Sequence, residues 1–378
     1  MNFLLVLEWL IKGFVWALVL LGGFAYLTLY ERKALARIQS RVGPNRAGPW
    51  GILQPIADAV KLIFKEELTP AKADKVIFTL APVITVVPAV IITAVVPWGP
   101  SFNIFGYHLT LYIADINVGV LYIMSVASIA VYGIVLAGWS SNNKYAMMGG
   151  LRSSAQMISY EIALGLSFVS AILLAGSMRM LDIVSAQSGY WFHLIPKWFV
   201  LLQPVGTAIF LIATLAEVNR APFDMPEAEQ ELTAGYHTEY SGMKFALLFM
   251  AEYTKMIAIS AIGATVFFGG FNGPFVDQYP WLGPVYIFVK IIILLFGMIW
   301  VRATFPRIRY DRLMAFGWKV LLPLSLALVF ITAVGIILAQ HYENPSLLGI
   351  IPVASLLVAG VAVAMIDRTL RRKDYARR

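Results

Sequence analysis

The sequence predicts an all-α integral membrane protein with nine transmembrane helices, N-terminus outside and C-terminus inside, and an interfacial amphipathic helix in the first cytoplasmic loop. Three observations predict it. First, 60% of the 378 residues are hydrophobic and 13% are charged, with a mean hydropathy of +0.76, which describes a membrane protein rather than a large soluble core. Second, a helix needs about 20 mostly apolar residues to cross a hydrocarbon layer of roughly 30 Å. Nine such windows occur, at about 3–29, 76–97, 118–139, 156–178, 198–217, 243–269, 285–303, 320–339 and 347–366. They are too long and continuous for the strands of a membrane barrel. Third, with the N-terminus outside, the inside segments hold nine, two, two, five and six Lys or Arg, while the outside loops hold only Arg179 and Lys197. That asymmetry is the positive-inside signature. The net charge of +8 therefore reports topology, not a nucleic-acid partner.

Taken in order, the first window ends on Tyr30-Glu31-Arg32-Lys33 and opens the longest inside loop, residues 32–75. The N-terminus lacks a basic leader region and a convincing cleavage site, so this window is expected to be a span and not a signal peptide. Residues 40–51 (SRVGPNRAGPWG) have the composition of a turn-rich loop. Next, Ile52, Leu53, Ile56, Val60, Ile63 and Phe64 recur at helical spacing with Gln54, Asp58, Lys61 and Lys65 between them. A helix this short and two-faced is expected to lie in the membrane plane, as a plain anchor or as the doorway for an amphiphile. Asp58 and Lys61, at i and i+3, also suit a simple pair. Pro82, Pro88 and Pro97 mark the second window as kinked. Glu161 is expected about one turn deep in the fourth. Trp191 and Trp198 read as interfacial anchors. The sixth window carries Glu252 and Lys255 at i and i+3, a candidate internal ion pair. Lys290 in the seventh is placed to snorkel. Residues 302–314 (RATFPRIRYDRLM) form another basic inside loop, and the tail DRTLRRKDYARR reads as a topology determinant. The whole chain, 1–378, is one polytopic domain.

The densest chemistry lies between the fifth and sixth windows. Glu217, Asp224, Glu227, Glu229, Glu231 and Glu239 place six of the chain's 21 acids in 23 residues. Acids packed against spans are costly unless hydrated or paired, which makes them functional candidates. A bland account covers part of the cluster: Asp224 reads as an N-cap, Pro226 as first-turn and Glu227 as the capping-box partner. It leaves Glu217, Glu231 and Glu239 unexplained. Glu31, Glu161, Glu217 and Glu252 all fall toward the inside half of their windows, and only Glu8 toward the outside. Together they outline one inside-facing polar chamber. The chain has no cysteine, which excludes iron–sulfur ligation, zinc thiolates and disulfides. The four histidines, His108, His193, His237 and His341, fall in loops, so no pair within the spans is placed for a haem.

The segments YERK (residues 30–33), RVGPN (41–45), QPIADAVKL (54–62), SYE (159–161), AEVNRAPFDMPEAEQELTAGYHTEYSGMKF (216–245) and RATFPRIRYDRLM (302–314) resemble the H-subunit family of bacterial respiratory complex I, counterpart of mitochondrial subunit 1. The likeness covers a core of residues 1–340; the ninth window and basic tail, 341–378, go beyond it. It implies a plasma-membrane (inner-membrane) subunit of a proton-pumping NADH-quinone oxidoreductase, with its long basic loops and C-terminus cytoplasmic. It also implies a tunnel by which ubiquinone or menaquinone meets an iron–sulfur cluster held by other subunits. The substrate would be that quinone, and no FMN, haem or iron–sulfur cluster would sit on this chain. Partners would be the hydrophilic-arm subunits at the quinone site, the small membrane subunits leading to the antiporter-like subunits, and lipid. By resemblance, Glu31, Arg32, Arg41, Asp58 and Lys61 border the quinone entrance and cavity. Glu161, Glu217, Asp224, Glu227, Glu229, Glu231 and Glu252 form proton-coupling carboxylates. Two other readings stand beside this: the equivalent subunit of a hydrogenase- or ferredoxin-linked membrane complex, and a stand-alone ion transporter.

Overall fold

Long apolar helices, running alternately between two ends of a bundle, make up nearly all of the computed structural model, which describes residues 3–104, 107–191, 195–224, 235–276 and 278–375. The helices are α1 (Phe3–Ile38), α2 (Gln54–Phe64), α3 (Lys75–Ile91), α4 (Gly119–Ser140), α5 (Lys144–Ala175), α6 (Met180–Ala186), α7 (Phe199–Leu202), α8 (Pro204–Glu217), α9 (Gly242–Phe267), α10 (Leu282–Thr304), α11 (Tyr310–Phe316), α12 (Leu322–His341) and α13 (Ile350–Tyr375). Two small antiparallel hairpins, β1 (Phe102–Ile104) with β2 (Tyr107–Leu109) and β3 (Tyr190–Trp191) with β4 (Ile195–Pro196), sit in the connections.

Local chemistry sets the helix ends. The Asp74 carboxylate accepts the free backbone N–H groups of Val76 and Ile77 and starts α3, and Asn143 caps α5 through Tyr145 N. Gly176, left-handed at φ 71°, stops α5. Pro82 and Pro88 lie inside α3, and the helix tightens into a 3₁₀ turn over Ile92–Val95 before Pro97. A short helix, α2, is present where the amphipathic pattern is expected.

Eight helices among the described residues are long and apolar enough to cross a membrane. The fifth window, 198–217, falls instead on two short helices. Gln203 leaves the helical region (φ −134°, ψ 63°) immediately before Pro204, whose missing N–H breaks the ladder. The 14-residue α8 rises only about 21 Å, short of a full crossing. It still connects the two ends. At its start, Gln203 accepts from Ser170 Oγ (2.6 Å) and donates to Thr332 Oγ1 (3.1 Å). At its finish, Gln156 Nε2 donates to Ala216 O at 3.0 Å.

α3 packs between α4 and α9, α5 against α4, α8 and α12, α1 against α9 and α10, and α13 against α12 and α8. Tyr160, Phe210 and Phe267 are fully buried in the main core; Phe78 stacks on Tyr240 in a smaller one at 4.1 Å. The far end is tied by neutral groups inside the bundle, with Arg179 paired to Asp115 at its surface. Gln187 donates to Thr265 O and Val266 O, and accepts from Phe199 N and Gly269 N. Lys290 does not snorkel free: its ammonium is held by Gly270 O and Asn272 O, 2.7 Å each.

Candidate functional site

The opposite end is tied by charge. α8 finishes in a Schellman-type turn, with Arg220 N bonded back to Leu215 O (3.1 Å) and Asn219 left-handed at φ 54°. The turn throws Arg220 into the bundle, where it is 3% exposed. Its Nη1 donates to Glu31 Oε1 at 3.0 Å, its Nε lies 2.7 Å from Glu252 Oε1, and its guanidinium covers the Tyr253 ring at 4.3 Å. The Glu252 contact is an ion pair without hydrogen-bond alignment at Nε. Arg302, from the last turn of α10, donates to the same Glu31 oxygen. Burial opposes the Arg220 charge, but Glu252, Tyr253 and Glu31 more than offset it and raise its pKa. Two carboxylates and two guanidiniums thus balance in a site where a lone charge would be prohibitive.

Deeper in, Lys255 Nζ donates to Glu217 Oε1 at 2.6 Å and to Glu217 O at 3.2 Å. This corrects the expected Glu252–Lys255 pair: one helical turn apart, the two side chains take separate partners, because the chain leaving α8 inserts a carboxylate beside one and a guanidinium beside the other. Glu217 is 1% exposed, and its Oε2 has no hydrogen-bond partner among the described residues. Glu217, Lys255 and Thr214 share a cavity of about 20 Å³, otherwise walled by apolar side chains such as Ile123, Phe168 and Phe210. That is space for about one water.

Glu161 accepts from Ser128 Oγ and is close enough to Glu217 for the two carboxylates to repel. It lies near the middle of α5 rather than one turn in, because Asn143 starts that helix at Lys144, well before the apolar window. Arg32, Asp58 and Lys61 form an exposed group apart. Arg32 Nη1 donates to Asp58 Oδ2 at 2.7 Å, whereas Lys61 stands 3.8 Å from Oδ1, so Asp58 fastens α2 to α1 more than it pairs along its own helix. Arg41 is exposed, donates to Gln39 Oε1 at 2.7 Å, and lines a cleft of about 800 Å³. Asp224, 6% exposed, receives Arg307 Nη2 at 2.9 Å. Glu227, Glu229 and Glu231 lie outside the described residues, as does the capping box expected there.

The structure therefore brings Glu31 and Glu252 together through Arg220, and Glu161 together with Glu217. Asp224, Arg41, Asp58 and Lys61 stand outside both groups. The residues that sequence reasoning missed are the cations. Arg220 was legible in principle, being the lone cation in the acidic stretch; Arg302 and Arg307 carried no signal beyond a basic loop. His237, in the 3₁₀ turn Gly235–His237, is buried against Tyr236 and Phe245 with Nδ1 unpartnered among the described residues, and burial pushes its pKa down to about 4.

A family model described as NADH dehydrogenase matches residues 11–333. The H subunit of NADH-quinone oxidoreductase from Thermomicrobium roseum is 50% identical over 331 residues, covering 87% of this chain and 95% of that protein. An H subunit from Geobacter metallireducens is 49% identical over 82% of this chain and 90% of its own length. The corresponding protein of Protochlamydia amoebophila is 49% identical, with 82% and 91% covered. The family match ends within α12, so α13 lies beyond it. With most of its length matched and half of the aligned residues shared with these relatives, the chain belongs to the NADH dehydrogenase family that includes the H subunits of NADH-quinone oxidoreductase.

Proposed function

We propose that this chain is the quinone-admitting and proton-coupling membrane subunit of a proton-pumping NADH-quinone oxidoreductase. In this reading the Glu31 end faces the cytoplasm of a bacterial inner membrane and meets the hydrophilic arm, whose iron–sulfur cluster reduces ubiquinone or menaquinone. A quinone carries no charge and passes apolar walls; its reduction consumes two protons. One observation carries the reading: the buried ionic groups run from the end of α1, at Glu31, through Arg220 and Glu252 to Glu217, Lys255 and Glu161 in the bundle interior. Close carboxylates in a poorly solvated site cannot all ionise, so their protons are shared and respond to a neighbouring charge. A negative charge developing at the Glu31 end draws on Arg220 and Arg302. That weakens the hold on Glu252 and passes the displacement to the Glu217 group. By the resemblance in sequence, Asp224, Glu227, Glu229 and Glu231 serve as further proton-coupling carboxylates, and Arg32, Arg41, Asp58 and Lys61 border the entrance.

Glu217→Gln tests this. Quinone reduction coupled to proton pumping is expected to fall at least tenfold, while NADH oxidation by an artificial acceptor in the hydrophilic arm stays intact. Normal coupled turnover would remove Glu217 from the mechanism. Independently, a quinone-like photoprobe is expected to label residues 32–65, and labelling confined to the far-end loops would contradict the entrance.

A further inference from the structure

We propose that the α10 side of the last turns of α1 is a binding site for an anionic phospholipid, with Lys33 and Arg37 holding the headgroup phosphate and an acyl chain lying between α1 and α10. Two openings meet there. A cleft of about 800 Å³ lies between the end of α1 and the loop 40–50, and carries Lys33, Arg37, Arg41 and Trp50. A groove of about 450 Å³ continues from it between Tyr30 and Phe296. Lys33 and Arg37 line both, and no carboxylate lines either.

The charges in the cleft are unequal. Lys33 donates to Trp50 O and Arg41 to Gln39, whereas Arg37 is exposed and makes no hydrogen bond or ion pair among the described residues. Trp50, 81% exposed and left-handed at φ 55°, holds an indole outward where the loop meets the helix, the place of an interfacial anchor. Cations at one end of an apolar groove match an acidic headgroup with its chain, the recognition expected of basic pockets between membrane helices. A free anion has no use for the groove, and a neutral quinone none for the Arg37 guanidinium that lines it. Arg41 borders both this cleft and the proposed quinone entrance, whereas Lys33 and Arg37 belong to the lipid site alone.

The test uses the purified intact complex and phosphatidylglycerol with a diazirine in one acyl chain. Label is expected in peptides 30–38 and 292–300, displaced by unlabelled phosphatidylglycerol but not by phosphatidylcholine or inorganic phosphate. Arg37→Gln is expected to lower labelling about fivefold, and Arg37→Lys to retain most of it. Equal labelling by a phosphatidylcholine probe, displacement by inorganic phosphate alone, or undiminished labelling of Arg37→Gln would each overturn the site. Should Arg37→Gln fail to assemble, competition on the unmodified complex decides.

Discussion

Lys255 and Glu217 illustrate how a membrane interior accommodates ionisable groups: each supplies the polar contact that water would give the other outside. Lys255→Met leaves the Glu217 carboxylate buried without its cation and is expected to cost about 3–5 kcal/mol. Adding Glu217→Gln is expected to recover most of that loss, read as the midpoint of thermal unfolding of the purified complex. Strict additivity of the two changes would show that the pair does not couple. His237 makes a separate prediction. Its folded pKa, about 4, lies below the ordinary 6.5, so between these values the unfolded chain binds the extra proton and stability rises with pH. From pH 7 to 5 the protein is expected to lose about 2 kcal/mol relative to His237→Phe. Parallel pH profiles for the two proteins would refute this.

Among elements, the start of α5 and the return of the acidic loop touch at glycines. A Cβ on Gly149 would fall 2.6 Å from Gly235 Cα, whereas one on Gly165 would meet only Met124 Cε at 3.4 Å. Gly149→Ala is therefore expected to push the 235–241 turn off α5 and lower coupled turnover severalfold, with Gly165→Ala near normal; equal activities would separate that contact from function. Element identity was largely legible in the sequence, because a 20-residue apolar run has one economical fate in a bilayer. The split of α7 from α8 was not, although Pro204 stood in plain view. A proline also starts helices, and what decides between starting and kinking is the pocket that Ser170 and Thr332 make for Gln203. The carboxylates were legible one by one, since acids are rare in such a chain. Their partners were not: Glu31 and Arg302 lie 271 residues apart, and only the packing of α1 on α10 joins them.

For the whole molecule, alternation of the helices places Thr69 and Ser346, both exposed, at opposite ends. The sequence contains no cysteine, so single substitutions label without background. With the N-terminus outside, Thr69→Cys is expected to react only from the cytoplasmic face of membrane vesicles and Ser346→Cys only from the other; the same sidedness for both would overturn the orientation. The basic-residue asymmetry is what carries this expected orientation, because charge placement in loops needs no knowledge of packing.

The two ends of the bundle answer differently to acid and base. Gln187 and Gln203 stitch one end with amides that neither gain nor lose a proton across the physiological range. At the other end the amide of Gln156 is joined by carboxylate pairs to guanidinium or ammonium, and a proton delivered to one of those carboxylates cancels a fastening. The amide-bound end of α9 is the fixed point and its Glu252 end the latch, so a proton delivered to the carboxylates loosens α9 from α1 and from the turn after α8 before it disturbs the Gln187 junction.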